Sequence, residues 1–178
     1  MRIDPDLDGS EFGMLSQYLD CQRETMLSKT DGLTREQLAQ KHSPSELTLA
    51  GLLNHLSLVE EDWLEVRFAG QPAREPWGSV DWDADPNWEF RTAAHLEPEQ
   101  LQSRYREACD RSRRVVSNAA GLDQLSARAL RDGRHFSLRW VCCTSSRRLP
   151  ATPATQISSA RRSTAPSVSS EPERESRR

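Results

Sequence analysis

A chain of 178 residues with a formal net charge of −3 is long enough for one domain with a core and too short for two. The charge is uneven: residues 1–141 hold 17 basic and 24 acidic groups, a net −7, whereas residues 142–178 hold seven Arg and three Glu, a net +4. The acidic body excludes a nucleic-acid-binding domain, because phosphate contacts need clustered Lys and Arg. Since the sequence has neither a long apolar run nor a signal-peptide pattern, we expect a cytoplasmic protein that does not interact with membranes, with four free cysteine thiols.

Two helices are predicted in the first 41 residues. From about Gly9 to Lys29, apolar residues recur at helical spacing, and Gly32 follows as a terminating residue. Thr34 and Gln37 have the spacing of a capping box, which predicts a short helix from Thr34 to Lys41. The apolar residues of the first helix are Phe12, Leu15, Leu19, Met26 and Leu27.

The strongest helical pattern in the chain runs from Thr48 to Ala69. Thr48 is a favourable cap residue, and Gly70 followed by Pro72 ends the pattern. Apolar residues form one stripe along this helix, and three glutamates lie elsewhere on its surface. The stripe comprises Leu49, Leu52, Leu56, Val59, Trp63 and Val66, and the glutamates are Glu60, Glu61 and Glu65.

A third long helix is predicted from about Pro98 to Asn118, with Leu101, Tyr105, Ala108, Val115 and Val116 facing inward. A turn at Asp132-Gly133 leads to Ser137, which caps a fourth helix. This fourth helix breaks off at Val141. The remaining residues include nine Ser, four Thr and four Pro, a composition typical of disordered segments.

These elements predict an all-α bundle over residues 1–141 and a disordered tail over residues 142–178. Three amphipathic helices of about 20 residues do not close a bundle by themselves, because every apolar stripe needs a facing partner. A truncated fourth helix therefore leaves an apolar groove, which predicts aggregation or a homodimer.

The segment from Gln71 to His95 is long for a loop, and loops of this length are usually functional or packed by their own side chains. We expect Trp82 and Trp88 to cover the open end of the bundle while the nearby aspartates face water. A calcium loop is the alternative, since Asp81, Asp83 and Asp85 have the spacing of its first three ligands. That match is weak, because Pro86 replaces the required Gly and Thr92 the required Glu.

His55 lies at the edge of the apolar stripe of the second long helix. A lone histidine there is more often a hydrogen-bonded residue than a metal ligand. However, the run Gly51 to Trp63 with Phe68-Ala69-Gly70 resembles the second helix of the DinB-like superfamily of four-helix-bundle metalloproteins, in its actinobacterial subgroup. The resemblance covers most of residues 12–141. Its other segments are Gln22 to Thr34, Arg104 to Arg113 and Asp132 to Val141.

This resemblance implies an up-down-down-up bundle that catalyses metal-dependent thiol S-transfer. In the superfamily, one histidine of the second helix, matching His55, and two of the fourth helix bind a divalent metal such as zinc or nickel. The substrates would be an electrophile and a low-molecular-weight thiol such as mycothiol. Three imidazoles leave a metal position open, where a thiol can bind and lose its proton.

The sequence departs from the superfamily pattern because no histidine follows His135. One imidazole is not enough to hold a catalytic metal, so the resemblance implies that S-transfer is impaired by the loss of the helix-four histidines. The competing interpretation is a non-catalytic relic, or a helical interaction module without bound metal.

A lost reading frame is our hypothesis for the break at Val141. If later codons are read one nucleotide early, Cys142 into Cys143 gives Leu, and Cys143 into Thr144 gives Tyr or His. With C or G favoured at third positions, the segment reads as an amphipathic helix containing R-H-A-G-H-A-D, which resembles the helix-four ligand motif. We therefore predict that one nucleotide was lost near codon 141, in the organism or during sequencing.

The other histidines and the helical cysteines are expected to have no catalytic role. His42, His95 and His135 lie in or beside turns and are predicted to be solvated. Cys21 and Cys109 are predicted to pack as small apolar groups. Thiol catalysis by either cysteine would need a histidine partner, which the sequence does not identify.

Overall fold

The computed structural model describes residues 4–41 and 47–148. Its helices are α1 (Glu11–Thr30), α2 (Arg35–Leu38), α3 (Leu49–Glu60), α4 (Trp88–Ala93), α5 (Pro98–Asn118) and α6 (Leu138–Arg148). A π-helix, Glu61–Phe68, follows α3 directly, and a 3-10 turn covers Trp77–Ser79. The described residues form no strand, only an isolated bridge between Leu125 and Ser137, so the all-α prediction is confirmed.

The predicted caps begin their helices in the structure. Thr34 and Gln37 form both hydrogen bonds of a capping box at α2, although α2 ends at Leu38 and not at Lys41. Thr48 Oγ1 accepts a hydrogen bond from the Gly51 amide at 3.0 Å, and Ser137 Oγ accepts one from the Trp140 amide at 3.2 Å. These local signals are independent of the tertiary fold, which is why they could be identified in the sequence.

Contacts between the helices show that α3 and α5 are parallel. The residue numbers of the two contacting helices rise together along this interface, from the contact of Asn54 with Arg104 to the contact of Glu61 with Arg111. Parallel neighbours need a long crossover, and residues 69–97 provide it.

The same reasoning places α1 antiparallel to α5 and parallel to α6. Thr30 contacts Gln102 near the start of α5, whereas Asp20 contacts Arg113 near its end. α6 starts beside the start of α1, where Arg139 pairs with Glu11, and packs along it. The four long helices therefore run up, down, down and up, as predicted.

Two apolar clusters form the core of the described bundle. One lies between α1, α3 and α5 and the other between α1, the π-helix and α6. The largest fully buried apolar side chains of the two clusters are Leu38, Leu49, Leu53, Leu101 and Tyr105, and Leu19, Leu64, Leu138 and Val141.

The buried face of the second long helix differs from the predicted stripe. Leu49 and Leu56 are buried, but Leu52, Val59, Trp63 and Val66 are only half-buried. The three glutamates are buried, with Glu61 and Glu65 each only 2% exposed. Within α3 the buried face includes Leu53, Asn54 and Glu60 and so lies to one side of the predicted stripe. From Glu61 onward the wider π turns rotate the later side chains further relative to α3.

The fourth helix extends beyond the predicted break at Val141. α6 continues to Arg148, and Cys142 is buried in the cluster that contains Leu19 and Val141. Residues 142–148 are thus helical, which corrects the predicted start of the tail. The disordered tail stays a prediction for residues 149–178, which lie outside the described residues. His42 also lies outside the described residues, so its solvation stays a prediction.

Candidate functional site

The imidazole of His55 is held by two consecutive residues of α4. Its Nδ1 lies 3.0 Å from Glu89 Oε1, and its ring stacks on Phe90 with a centroid distance of 4.9 Å and an interplanar angle of 21°. The Glu89 side chain is 5% exposed, whereas that of His55 is 36% exposed. One edge of the imidazole therefore faces a buried carboxylate, while part of the ring remains accessible to solvent.

A hydrogen bond from α3 holds α4 in this position, and α5 orients its donor. Asn54 Nδ2 donates a hydrogen bond to the Glu89 carbonyl at 2.8 Å, and Arg104 Nη1 donates one to Asn54 Oδ1 at 2.7 Å. The Arg104 guanidinium also lies 5.4 Å from the ring centre of Trp77. Gly51 permits the close approach of α4, since a Cβ there would lie 3.1 Å from Phe90 Cδ1.

The described residues do not fit the three-imidazole metal centre that the resemblance implies. His55 alone is placed like a ligand. Its Nδ1 contacts the Glu89 carboxylate, and a metal-ligating histidine usually has such a partner on the ring nitrogen that does not bind the metal. Within residues 4–41 and 47–148, no three His, Cys, Asp or Glu side chains are grouped so that they could hold a metal ion. His95 is exposed, and His135 is exposed in the segment after the Asp132-Gly133 turn, with its Nδ1 2.6 Å from the Ser126 carbonyl oxygen.

The three tryptophans of the segment between residues 71 and 95 differ in burial, and the covering of the open end of the bundle by Trp82 and Trp88 stays a prediction. Trp77 is buried, whereas Trp82 and Trp88 are half-buried. Trp88 packs edge-on against Trp77, with ring centroids 5.8 Å apart. Sequence alone could not rank these three indoles, because their order of burial depends on the path of the crossover.

The three aspartates of this segment have interactions typical of a turn. Asp81 Oδ1 accepts hydrogen bonds from the backbone amides of Asp83 and Ala84, each at 3.1 Å. Asp81 and Asp83 are exposed as predicted, but Asp85 is half-buried and forms an ion pair with Arg91. These contacts give Asp81 and Asp85 structural roles that need no calcium ion.

A layer of buried charges crosses the middle of the bundle, and the sequence did not predict it. Arg23 is 2% exposed and forms two hydrogen bonds with Glu60, at 2.8 and 2.6 Å. Arg111 bridges Glu61 and Glu65 at 3.1 and 2.7 Å. Burial by itself would lower the pKa of Arg23, but the Glu60 carboxylate outweighs it and holds that pKa above its usual value.

Buried thiols and a phenol lie beside this layer. Burial, reinforced by the Glu60 carboxylate, raises the pKa of Cys109 to about 12, and burial raises that of Cys142 to about 11. Burial likewise raises the pKa of Tyr105 well above its usual value. Cys21 and Cys109 are buried and unbridged, and Cys109 packs in the apolar cluster between α1, α3 and α5, as predicted.

A comparison with known families assigns the chain to one of them. The sequence profile of the Mycothiol-S-transferase family matches residues 14–146. The chain belongs to the mycothiol-S-transferase family. This is a DinB-like family, so the resemblance noted in the sequence is confirmed. No curated protein matches the chain. None of the helices in the described residues is long and apolar enough to cross a membrane.

Proposed function

We propose that this member of the mycothiol-S-transferase family transfers a low-molecular-weight thiol, such as mycothiol, to an electrophile, and that this activity is impaired. Family membership supports the thiol and the reaction type. The observation that carries the impairment is the donor set: His55 is accompanied by no group of three potential metal ligands among the described residues. The thiol would bind beside the exposed part of the imidazole.

His55 is the residue that we propose as a ligand of zinc or nickel. Its Nε2 has no hydrogen-bond partner among the described residues, and the ring is already oriented by Glu89 and Phe90. A metal at this position would need further ligands, and catalytic zinc sites usually have three from the protein. We therefore expect weak metal binding and slow transfer.

Measurement of bound metal together with thiol transfer tests this proposal. We expect purified protein to hold well under one zinc or nickel per chain, and to conjugate mycothiol to an alkylating electrophile only slowly. His55→Ala should abolish both residual signals, while His95→Ala, at an exposed histidine, should change neither. One tightly bound metal per chain, lost only in His55→Ala, would show an intact centre and contradict the impairment.

The second candidate is a non-catalytic helical module that binds no metal. The incomplete donor set favours it. Absence of bound metal and of any mycothiol conjugation above the rate without protein would support this candidate over the enzyme. The predicted homodimer belongs to this alternative, and sedimentation equilibrium would measure it.

We also propose that the reading frame was lost near codon 141. The family match ends at residue 146, within α6, and no histidine follows His135 in the sequence. We expect intact mass spectrometry of the protein from its native source to give a mass different from the 20.2 kDa of this sequence. Resequencing should reveal the missing nucleotide. A native mass equal to that of the written chain would place the loss in the organism, whereas an intact frame through the tail codons with no recoverable helix would contradict the proposal.

A further inference from the structure

We infer that Glu89 and Phe90 position His55 in the tautomer with hydrogen on Nδ1, so that Nε2 presents a lone pair at the accessible edge of the ring. The inference rests on the proposed function for its biological meaning, but its physical basis is the set of contacts around the imidazole. Glu89 and Phe90 act through His55 and are positioning residues.

The hydrogen bond to Glu89 determines the tautomer. His55 Nδ1 lies 3.0 Å from Glu89 Oε1, and because a carboxylate oxygen accepts hydrogen bonds, this geometry points to Nδ1 as the donor. In a neutral imidazole the other nitrogen is then an acceptor. The contact therefore leaves Nε2 without hydrogen, which is the form in which an imidazole can bind a metal or accept a proton.

The stacked ring of Phe90 restricts the remaining rotation of the imidazole. A centroid distance of 4.9 Å with an interplanar angle of 21° keeps the face of the His55 ring against α4. Glu89 and Phe90 thus fix an edge and a face of the same ring. Because Asn54, itself oriented by Arg104, tethers the backbone of α4 at Glu89, the two contacts are held together.

The second oxygen of Glu89 indicates that this arrangement is not optimised for stability. Glu89 Oε2 is buried and has no hydrogen-bond partner among the described residues. An unsatisfied buried polar atom is costly, and a structural salt bridge would be expected to satisfy both oxygens. A carboxylate retained there at a cost in stability is typical of a residue that orients another group.

Nuclear magnetic resonance of the labelled full-length chain tests the inference. Long-range correlations from the ring protons of His55 to its nitrogens, recorded at pH 8 with EDTA, report the tautomer of the neutral, metal-free ring. We expect hydrogen on Nδ1 in the parent protein. Glu89→Ala should shift the population toward hydrogen on Nε2, whereas Glu99→Ala, at an exposed glutamate of α5, should leave it unchanged. Phe90→Leu keeps the carboxylate and should retain the parent tautomer.

The outcomes separate this inference from the proposed function. A parent protein with hydrogen on Nε2 of His55 overturns the inference, whatever its activity, and this result does not depend on the folding of any variant. An unchanged tautomer in folded Glu89→Ala would also overturn it. If the parent tautomer is as inferred but neither metal nor thiol transfer is found, the proposed function fails and the inference stands.

Discussion

Replacement of Arg23 by methionine is expected to lower the free energy of unfolding by about 3–5 kcal/mol. Methionine keeps much of the side-chain length, but it leaves the Glu60 carboxylate buried without its cation. A buried charge that loses its partner cannot recover its hydration, and this loss is larger than the net contribution of the intact pair. Because domains are stable by only about 5–15 kcal/mol, the effect should be visible in a single urea titration followed by circular dichroism.

Two further variants distinguish a buried pair from an ordinary ion pair. Arg35 pairs with Glu97 at 3.1 Å, and both side chains are exposed, so Arg35→Met should cost about 0–1 kcal/mol. In the double variant Arg23→Met, Glu60→Met, most of the loss should be recovered, since two apolar side chains replace two charges. A double variant no more stable than Arg23→Met would contradict this explanation.

The sequence was sufficient for where the long helices begin, because cap residues act locally, and the resemblance to a known superfamily supplied the directions of these helices. Caps such as Thr34 and Thr48 bond within their own turn. The buried charges were missed because each needs a partner far along the chain: Arg23 and Glu60 are 37 residues apart, and each alone looks like a surface residue. The arginine between the buried Leu19 and Met26 of α1 was the available signal.

The residues of the candidate site are likewise far apart along the chain, and their contacts could not be predicted from the sequence. His55 could be singled out because its surroundings resemble a known helix, but nothing in the sequence connects it with Glu89, 34 residues later. Glu89 lies in a segment that was predicted as a loop, and its role depends on the six-residue helix α4 packing against α3. Because a hydrogen bond acts only over a short distance, the pairing of His55 with Glu89 can be recognised only when the three-dimensional path of the crossover is known.

Raising the pH above about 9 is expected to destabilise the protein through its buried thiols. Burial raises the pKa of Cys109 to about 12 and that of Cys142 to about 11 in the folded chain, whereas both ionise near their ordinary value when unfolded. The unfolded state therefore loses protons that the folded state retains. Stability is complete below the unfolded pKa and falls, as the pH rises toward the folded pKa, by about 1.4 kcal/mol per pH unit for each thiol.

Urea titrations between pH 8 and pH 10.5 measure this loss, and cysteine variants assign it. Cys109→Ala should lose less stability over this range than the parent protein, because one group with a raised pKa has been removed. Cys143 is exposed, so Cys143→Ala should keep the parent slope. Equal slopes for Cys109→Ala and the parent would contradict the assignment. Because the Glu60 carboxylate contributes to the raised pKa of Cys109, replacing Glu60 should also reduce the slope, which would link the alkaline sensitivity to the buried charges around Arg23.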